Sequence, residues 1–453
     1  MGSQQARRIA AVLIAGSLAL LAGCTGSSSD ASGSSGEPKA SAAPAQVALS
    51  LADGAVDVPP TTPLEFTVTG GELGEVTVVD SAGTAVTGKV APAAGTPTGT
   101  VAPATGTVPS AAGSTASATG TVAPAAGTVA PAAGSTTPAT GSTTPATGNP
   151  TTVVWTPDTA LAYGTAYTVT ATAANADADE TTATSTFTTV TPTTLSTPGI
   201  GPLDGTTVGV GMPIRVFFDD PVADKAAVES HLTVTSSTPT DGVWNWVRND
   251  EVHFRPSTYW PANSEVTLDA QLYGVDFGEG VWGEKDRTVS FSIGDKHVSV
   301  ADAAAHTFTV FSSDQMVQSY PMSAGSNTNP THNGAHVVLE KFAAITMDSS
   351  TFGLAVDAPG GYRTDVQFAT RISNNGEFVH AAPWSLGSQG SANVSHGCIN
   401  LSTERAQWFY DFSQPGDVVE VVNSVGGMLT AADGDIYDWA ISWDAWKAGS
   451  ALS

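Results

Sequence analysis

Cysteine and charge are both scarce in this chain. Two cysteines serve 453 residues, and charged side chains make up 13% of it, with 16 Lys and Arg against 42 Asp and Glu. The shortage of basic residues leaves a formal net charge of −26. A nucleic-acid partner is excluded on that ground, because phosphate binding needs a basic face. Strong helix signals are few. The one conspicuous apolar run, "IAAVLIAGSLALLAG" near the start, is too short for a comfortable bilayer span. What is abundant is Gly, Thr, Ala, Ser and Val, the composition of an exported all-β protein. The length allows about three domains.

The start of the chain accounts for the first cysteine. Arg7 and Arg8 precede the apolar run, and small residues lead out of it to Cys24, the order of a secretory signal. The exit "LAGC" resembles the lipobox of bacterial lipoproteins. That resemblance implies a signal peptide over 1–23, cleavage before Cys24 and a diacylglyceryl group on its sulfur. The expected location is then the extracytoplasmic face of the cell membrane, lipid-anchored and facing the wall. Residues 24–45 are Ser, Gly, Ala and Pro with few large apolar side chains. They read as a flexible tether with an average span of roughly 25 Å.

From residue 46 apolar and polar residues alternate between Gly, Pro and Asp turns, as in "PLEFTVTGGELGEVTVVDSAG". This is the signature of strands and hairpins. The pattern breaks near residue 90 and resumes at "TTVVWTPDTALAYGTAYTVTATAA". The expectation is a first immunoglobulin-like sandwich over 46–191, interrupted by an insert of about 90–150. Within the insert, 101–149 divides into heptads such as "VAPATGT" and "TTPATGS". No pair of large apolar positions recurs, and Gly and Pro do, so a coiled coil is rejected for a disordered loop, partly polyproline II. A second strand-rich block, 192–293, reads as another immunoglobulin-like sandwich. A third, 294–426, is β-rich with one convincing helix, "STERAQWFYDFS", capped by Ser402 or Thr403 with Glu404 in its first turn. The tail 427–453 carries Trp439, Trp443 and Trp446 and reads as a segment that docks on the body.

The second cysteine stands in "SANVSHGCINLS". With Cys24 lipidated, Cys398 has no disulfide partner in the chain, and an unpaired thiol outside the cell reads as reactive. An ordinary thiol is only a few per cent ionised at neutral pH, so a histidine must take its proton. His396 lies two residues away, on the same face if the segment is extended. His380, in "GEFVHAAPW", would come from a neighbouring element. Gly397 permits close approach to a substrate, and amides near Gly397 and Cys398 suit an oxyanion. The competing readings are a buried structural cysteine and a zinc site made of His380, His396 and Cys398. His332 and His336 are placed in a loop and a strand, without a catalytic role.

"FVHAAPW" followed by "SHGCINLS" resembles the catalytic domain of L,D-transpeptidases of the YkuD type. "YGVDFGEGVWGE", "TMDSSTFG", "GYRTDVQFATRIS" and the Trp-rich tail resemble the actinobacterial, mycobacterial-type members. The resemblance implies a mainly β architecture, with two immunoglobulin-like sandwiches followed by a YkuD-type catalytic domain over 294–426 and a docking segment over 427–453. It implies that Cys398 is the nucleophile, His380 the general base, and His396 and Gly397 the oxyanion site. Tyr362, Met347, Phe352, Asn400 and Trp384 fall in the substrate-binding set. Phe352 replaces a tyrosine, and Ala381 a Gly or Ser, that relatives often have. The implied reaction joins two peptidoglycan stem peptides, donor and acceptor, in a 3→3 cross-link through a thioester. β-Lactams of the carbapenem type are implied covalent inhibitors, and no metal or organic cofactor is required. The alternatives are an L,D-carboxypeptidase that trims stems, and a non-catalytic wall-binding lipoprotein.

Overall fold

Strict alternation over short segments makes strands that bury one face. The computed structural model, which describes residues 41–93, 149–434 and 436–453, is accordingly mainly β. The signal peptide, Cys24, most of the tether and nearly all of the heptad insert lie outside the described residues.

The first body is a two-sheet sandwich. One sheet runs in the order Gln46–Leu49, Leu64–Thr69, Thr151–Pro157, Gly88–Pro92. The other runs Ala55–Val58, Glu180–Thr189, Ala166–Ala174, Glu72–Asp80, Ala85–Val86. Leu64, Phe66, Trp155, Tyr167, Val169 and Phe187 fill the space between them. Gly88–Pro92 and Thr151–Pro157 are antiparallel neighbours, with Pro92 opposite Val153.

The second body is also a sandwich, with sheets Gly199–Gly201, Ile214–Phe217, Glu251–Pro256, Gly242–Trp246 and Thr207–Val208, Arg287–Ile293, Glu265–Ala270, Leu232–Ser236. The two bodies interlock through tyrosines. The Tyr163 hydroxyl donates to the Gly283 carbonyl (2.7 Å), and the Tyr273 hydroxyl donates to that of Leu161 (2.9 Å). Their rings meet at 4.9 Å.

The third body packs a five-stranded sheet (Gln315–Pro321, Thr307–Ser312, His297–Asp302, Val418–Val422, Gly334–Val337) near a four-stranded one (Lys341–Asp348, Arg363–Arg371, Phe378–Ala381, Ile399–Leu401). Phe308, Val310, Val379, Ile399, Leu401, Phe409 and Val419 form the shared core. Helix Thr403–Phe412 supplies Phe409 to it. The helix starts where Ser402 accepts from the Arg405 amide (3.3 Å), with Glu404 in the first turn, where the helix dipole favours an acid. The second and third bodies touch backbone to backbone, with Gly209 N donating to Pro415 O and Gly211 N to Gly416 O, each at 2.8 Å. A Cβ on Gly209 would lie 2.2 Å from the Asp417 amide, so only glycine fits.

The tail closes on the second body. Strand Glu251–Pro256 is buried at every position. Val252 and Phe254 enter the apolar core, while Glu251, His253 and Arg255 face the opposite way and would be solvated if the tail did not cover them. His253 is held between Asp438 (3.0 Å) and Glu251 (2.7 Å). The Arg255 guanidinium sits 4.8, 5.2 and 4.6 Å from the ring centres of Trp439, Trp443 and Trp446. Trp446 is fully buried and its indole donates to the Val243 carbonyl (2.9 Å).

Candidate active site

Strands Phe378–Ala381 and Ile399–Leu401 run parallel, with His380 opposite Asn400. This pairing brings two distant stretches of sequence to one place, and Cys398 stands immediately before the second strand. Its thiol donates to the Gly376 carbonyl at 3.4 Å. Burial pushes the thiol up to about 12, so it is protonated at rest. His380 is also buried, and burial pushes it down to about 4. Nδ1 of His380 lies 2.9 Å from the carbonyl of Ala381. A carbonyl can only accept, so the hydrogen is on Nδ1 and Nε2 carries the free lone pair. A backbone carbonyl does this orienting, which is why alanine at 381 suffices. Cysteine and histidine therefore line the site as two neutral groups, because burial disfavours the ionised form of each.

Both residues line a cavity of about 330 Å³ with Met347, Tyr362, Trp384, Val394, His396 and Asn400. A larger cavity, about 470 Å³, adjoins it through Val366 and Trp384 but does not reach Cys398. A third, about 290 Å³, lies against Tyr362, His396, Gly397 and Glu377. Chemistry, not size, picks out the first. Tyr362 and His396, whose rings are 5.0 Å apart, line both it and the third cavity.

The side of the cavity formed by Met347 and Tyr362 is built from strand ends. Met347, near the end of Lys341–Asp348, pairs with Thr364. Asp348 caps the turn Ser349–Phe352 by accepting from the Ser350 amide (2.9 Å), and Gly353 ends it at a φ of 86°. The Tyr362 amide donates to Ser349 Oγ (2.9 Å), which sets the tyrosine over the cavity. Phe352 ends this turn, and its side chain lies outside what the structure describes. Trp384 is 60% exposed and stands at the rim, 6.1 Å from the His380 ring.

Two sequence expectations change here. His396 does not share an extended strand with Cys398. Gly397 between them has a φ of 120°, so the chain bends and the two-residue spacing gives no common face. His396 is exposed, and its ring lies tilted against that of Tyr362 instead. Gly397 does not present an idle amide either, because its N–H donates to Ser395 Oγ (3.2 Å), whose own hydrogen goes to the Cys398 carbonyl (2.6 Å). Ser395 and Thr331, which donates to the Gly397 carbonyl at 2.7 Å, brace the loop that carries Cys398. Ser395 was visible in the motif, whereas Thr331 carried no signal. Asn400 is buried with its side-chain carbonyl oxygen unpartnered in the structure, and it lines the cavity. Among the described residues, no group of three or more His, Cys, Asp or Glu is arranged to hold a metal.

Two family models match the chain: "L,D-transpeptidase catalytic domain" over residues 296–421 and "Bacterial Ig domain" over 111–276. L,D-transpeptidase 2 of Mycobacterium tuberculosis is 46% identical over 260 residues, 57% of this chain and 64% of the relative. The chain thus spans a little under two-thirds of that relative's length. L,D-transpeptidase 1 of the same organism is 37% identical over 223 residues, 49% of this chain and 83% of the relative. A solved L,D-transpeptidase in complex with imipenem is 36% identical and covers 51% of this chain and all of its own, with a TM-score of 0.46.

Proposed function

This chain belongs to the L,D-transpeptidase family, and from that premise we propose that it forms 3→3 cross-links between peptidoglycan stem peptides through a thioester on Cys398. One observation carries the reading. A free, buried thiol and an imidazole with its Nε2 unengaged line the same cavity.

The steps follow from the neutral pair. The proton of Cys398 passes to Nε2 of His380 as sulfur attacks the carbonyl of the L-centre of a stem's diamino acid, the residue before a terminal D-Ala. Because neither group is ionised beforehand, proton transfer accompanies attack. His396, Gly397 and the Cys398 amide surround the developing oxyanion, the Gly397 amide by exchanging its bond to Ser395. D-Ala leaves with the proton from His380. The side-chain amine of a second stem then attacks the thioester, returns a proton to His380, and the thiol is restored. Met347, Tyr362, Trp384 and Asn400 hold the donor stem.

A diacylglyceryl group on Cys24 would hold the protein at the outer face of the membrane, with both sandwiches carrying the active site toward the wall. Carbapenems would acylate the same sulfur. The test is intact-mass analysis with a carbapenem, for the parent and for Cys398→Ser, alongside muropeptide analysis of the reaction with tetrapeptide stems. An adduct on the parent alone, with 3→3 dimers, is the expected result. Trimmed tripeptides without dimers would make the protein a carboxypeptidase. No adduct and no turnover would leave a wall-binding module.

A further inference from the structure

The residues just before Phe378–Ala381 form a charged cluster that the proposed reaction does not use. Glu377 is 4% exposed. One of its oxygens accepts from both the backbone N–H and Nδ1 of His332, each at 2.9 Å. The other meets Nε2 of His336 at 2.9 Å. Nε2 of His332 reaches Asp433 at 3.2 Å, and the Asp433 carbonyl accepts from the Asn375 amide at 2.8 Å. A carboxylate removed from water is tolerated only when so partnered. Burial pushes Glu377 up, but the bonds from His332 and His336 outweigh it and hold it down to about 2. The bond to Glu377 in turn raises His332.

This knot touches the nucleophile from two sides. Gly376, the neighbour of Glu377, supplies the carbonyl that receives the Cys398 thiol. The Glu377 side chain lies beneath Gly397, where an added Cβ would be 3.6 Å from its Cγ. Besides His380 and His396, which line the same cavity, the charged or titratable groups near the sulfur are Arg371, which pairs with Glu340 at 3.1 Å and stacks on Phe378, and Tyr362.

Taking Cys398 as the nucleophile, we propose that Glu377 is a positioning residue for it. Clamped by His332 and His336, it pins the Gly376 carbonyl that receives the thiol and keeps a negative charge beside the sulfur. Burial already keeps the resting thiol protonated, and this carboxylate adds to that, so the thiol yields its proton to His380 only.

The test is iodoacetamide alkylation of the full chain from about pH 6 to about pH 11, read as adduct on the Cys398 peptide, with thermal melting in parallel. Alkylation reports on the thiol alone, so it stands even if the protein proves not to cross-link stems. Glu377→Gln keeps the side chain's shape and removes its charge. It should alkylate several-fold faster at about pH 8, with the profile displaced to lower pH. A merely structural glutamate would alter melting and leave the profile in place. Should Glu377→Gln fail to fold, Glu377→Leu with His336→Phe removes the buried pair together and leaves no orphaned charge between them. That double variant should show the same displacement. A folded variant of either kind whose profile is unmoved, or moves to higher pH, overturns the proposal.

Discussion

Acid should act on this protein through His380 in a way that can be isolated. Burial pushes its imidazole from 6.5 down to about 4. The unfolded chain therefore takes up a proton between those values while the folded chain does not. The neutral group's advantage is fully present above about pH 6.5 and is lost as pH falls toward about 4. At about 1.4 kcal/mol per pH unit, that window is worth about 3 kcal/mol. Other groups titrate nearby. His332 and His253 are raised, so they add stability below about 6.5 that fades as pH rises through their folded values. A difference measurement removes them. Urea denaturation of the parent and of His380→Gln, at matched pH from about 4 to about 7, should show the parent losing about 3 kcal/mol relative to the variant on acidification. The same displacement should appear in reactivity. Carbapenem adduct formation by the parent should hold level from neutrality to about pH 5 and fall below it. An acid limb centred near 6.5, together with a flat stability difference, would refute both the buried neutral imidazole and the concerted proton transfer built on it.

Replacing Cys398 by Ser should abolish adduct formation and cross-linking, because a hydroxyl ionises far less readily than a thiol; more than trace turnover would remove Cys398 from its role. Gly397→Ala has room for its methyl but not for the φ of 120°, so about 1–3 kcal/mol of backbone strain is expected. Adduct formation should then slow while the fold survives, and a variant with parental rate and parental melting would show that the bend is not required. Trp446→Ala should cost about 3–5 kcal/mol and expose residues 436–446 to protease, since the indole is fully buried against Arg255. Protection equal to the parent's would show that the tail is held elsewhere. Deleting 101–149 should leave melting and adduct formation nearly unchanged, and a large loss of either would mean that the segment packs.

The sequence disclosed elements better than contacts. Period-two alternation exposed the strands of both sandwiches, and Ser402 with Glu404 marked the helix Thr403–Phe412 because capping is a local effect. His380 and Cys398 were readable from their motif. The neutral state of the pair was not, since it depends on burial by residues far away in the chain. Glu377 shows the same limit. The sequence analysis did not single it out, because its partners His332 and His336 lie some forty residues upstream and Asp433, which backs His332, comes from the tail. His396 misled because the extended-chain argument presumed a backbone that Gly397 does not adopt. Likewise Glu251, His253 and Arg255 look like a solvated strand face until residues 438–446 are laid over them.

The pairing of Gly88–Pro92 with Thr151–Pro157 has an evolutionary consequence. The chain leaves the first sandwich and returns to it at adjacent points, Pro92 facing Val153, so the intervening length is not fixed by any distance that must be spanned. For a flexible loop, gaining or losing one heptad among seven or eight changes the closure free energy by only about 0.1 kcal/mol. Gain or loss of a whole heptad is thus nearly invisible to folding. Copy number at this site can drift, and related lineages are expected to carry the same two strands joined by inserts of different length, each with an unchanged catalytic domain.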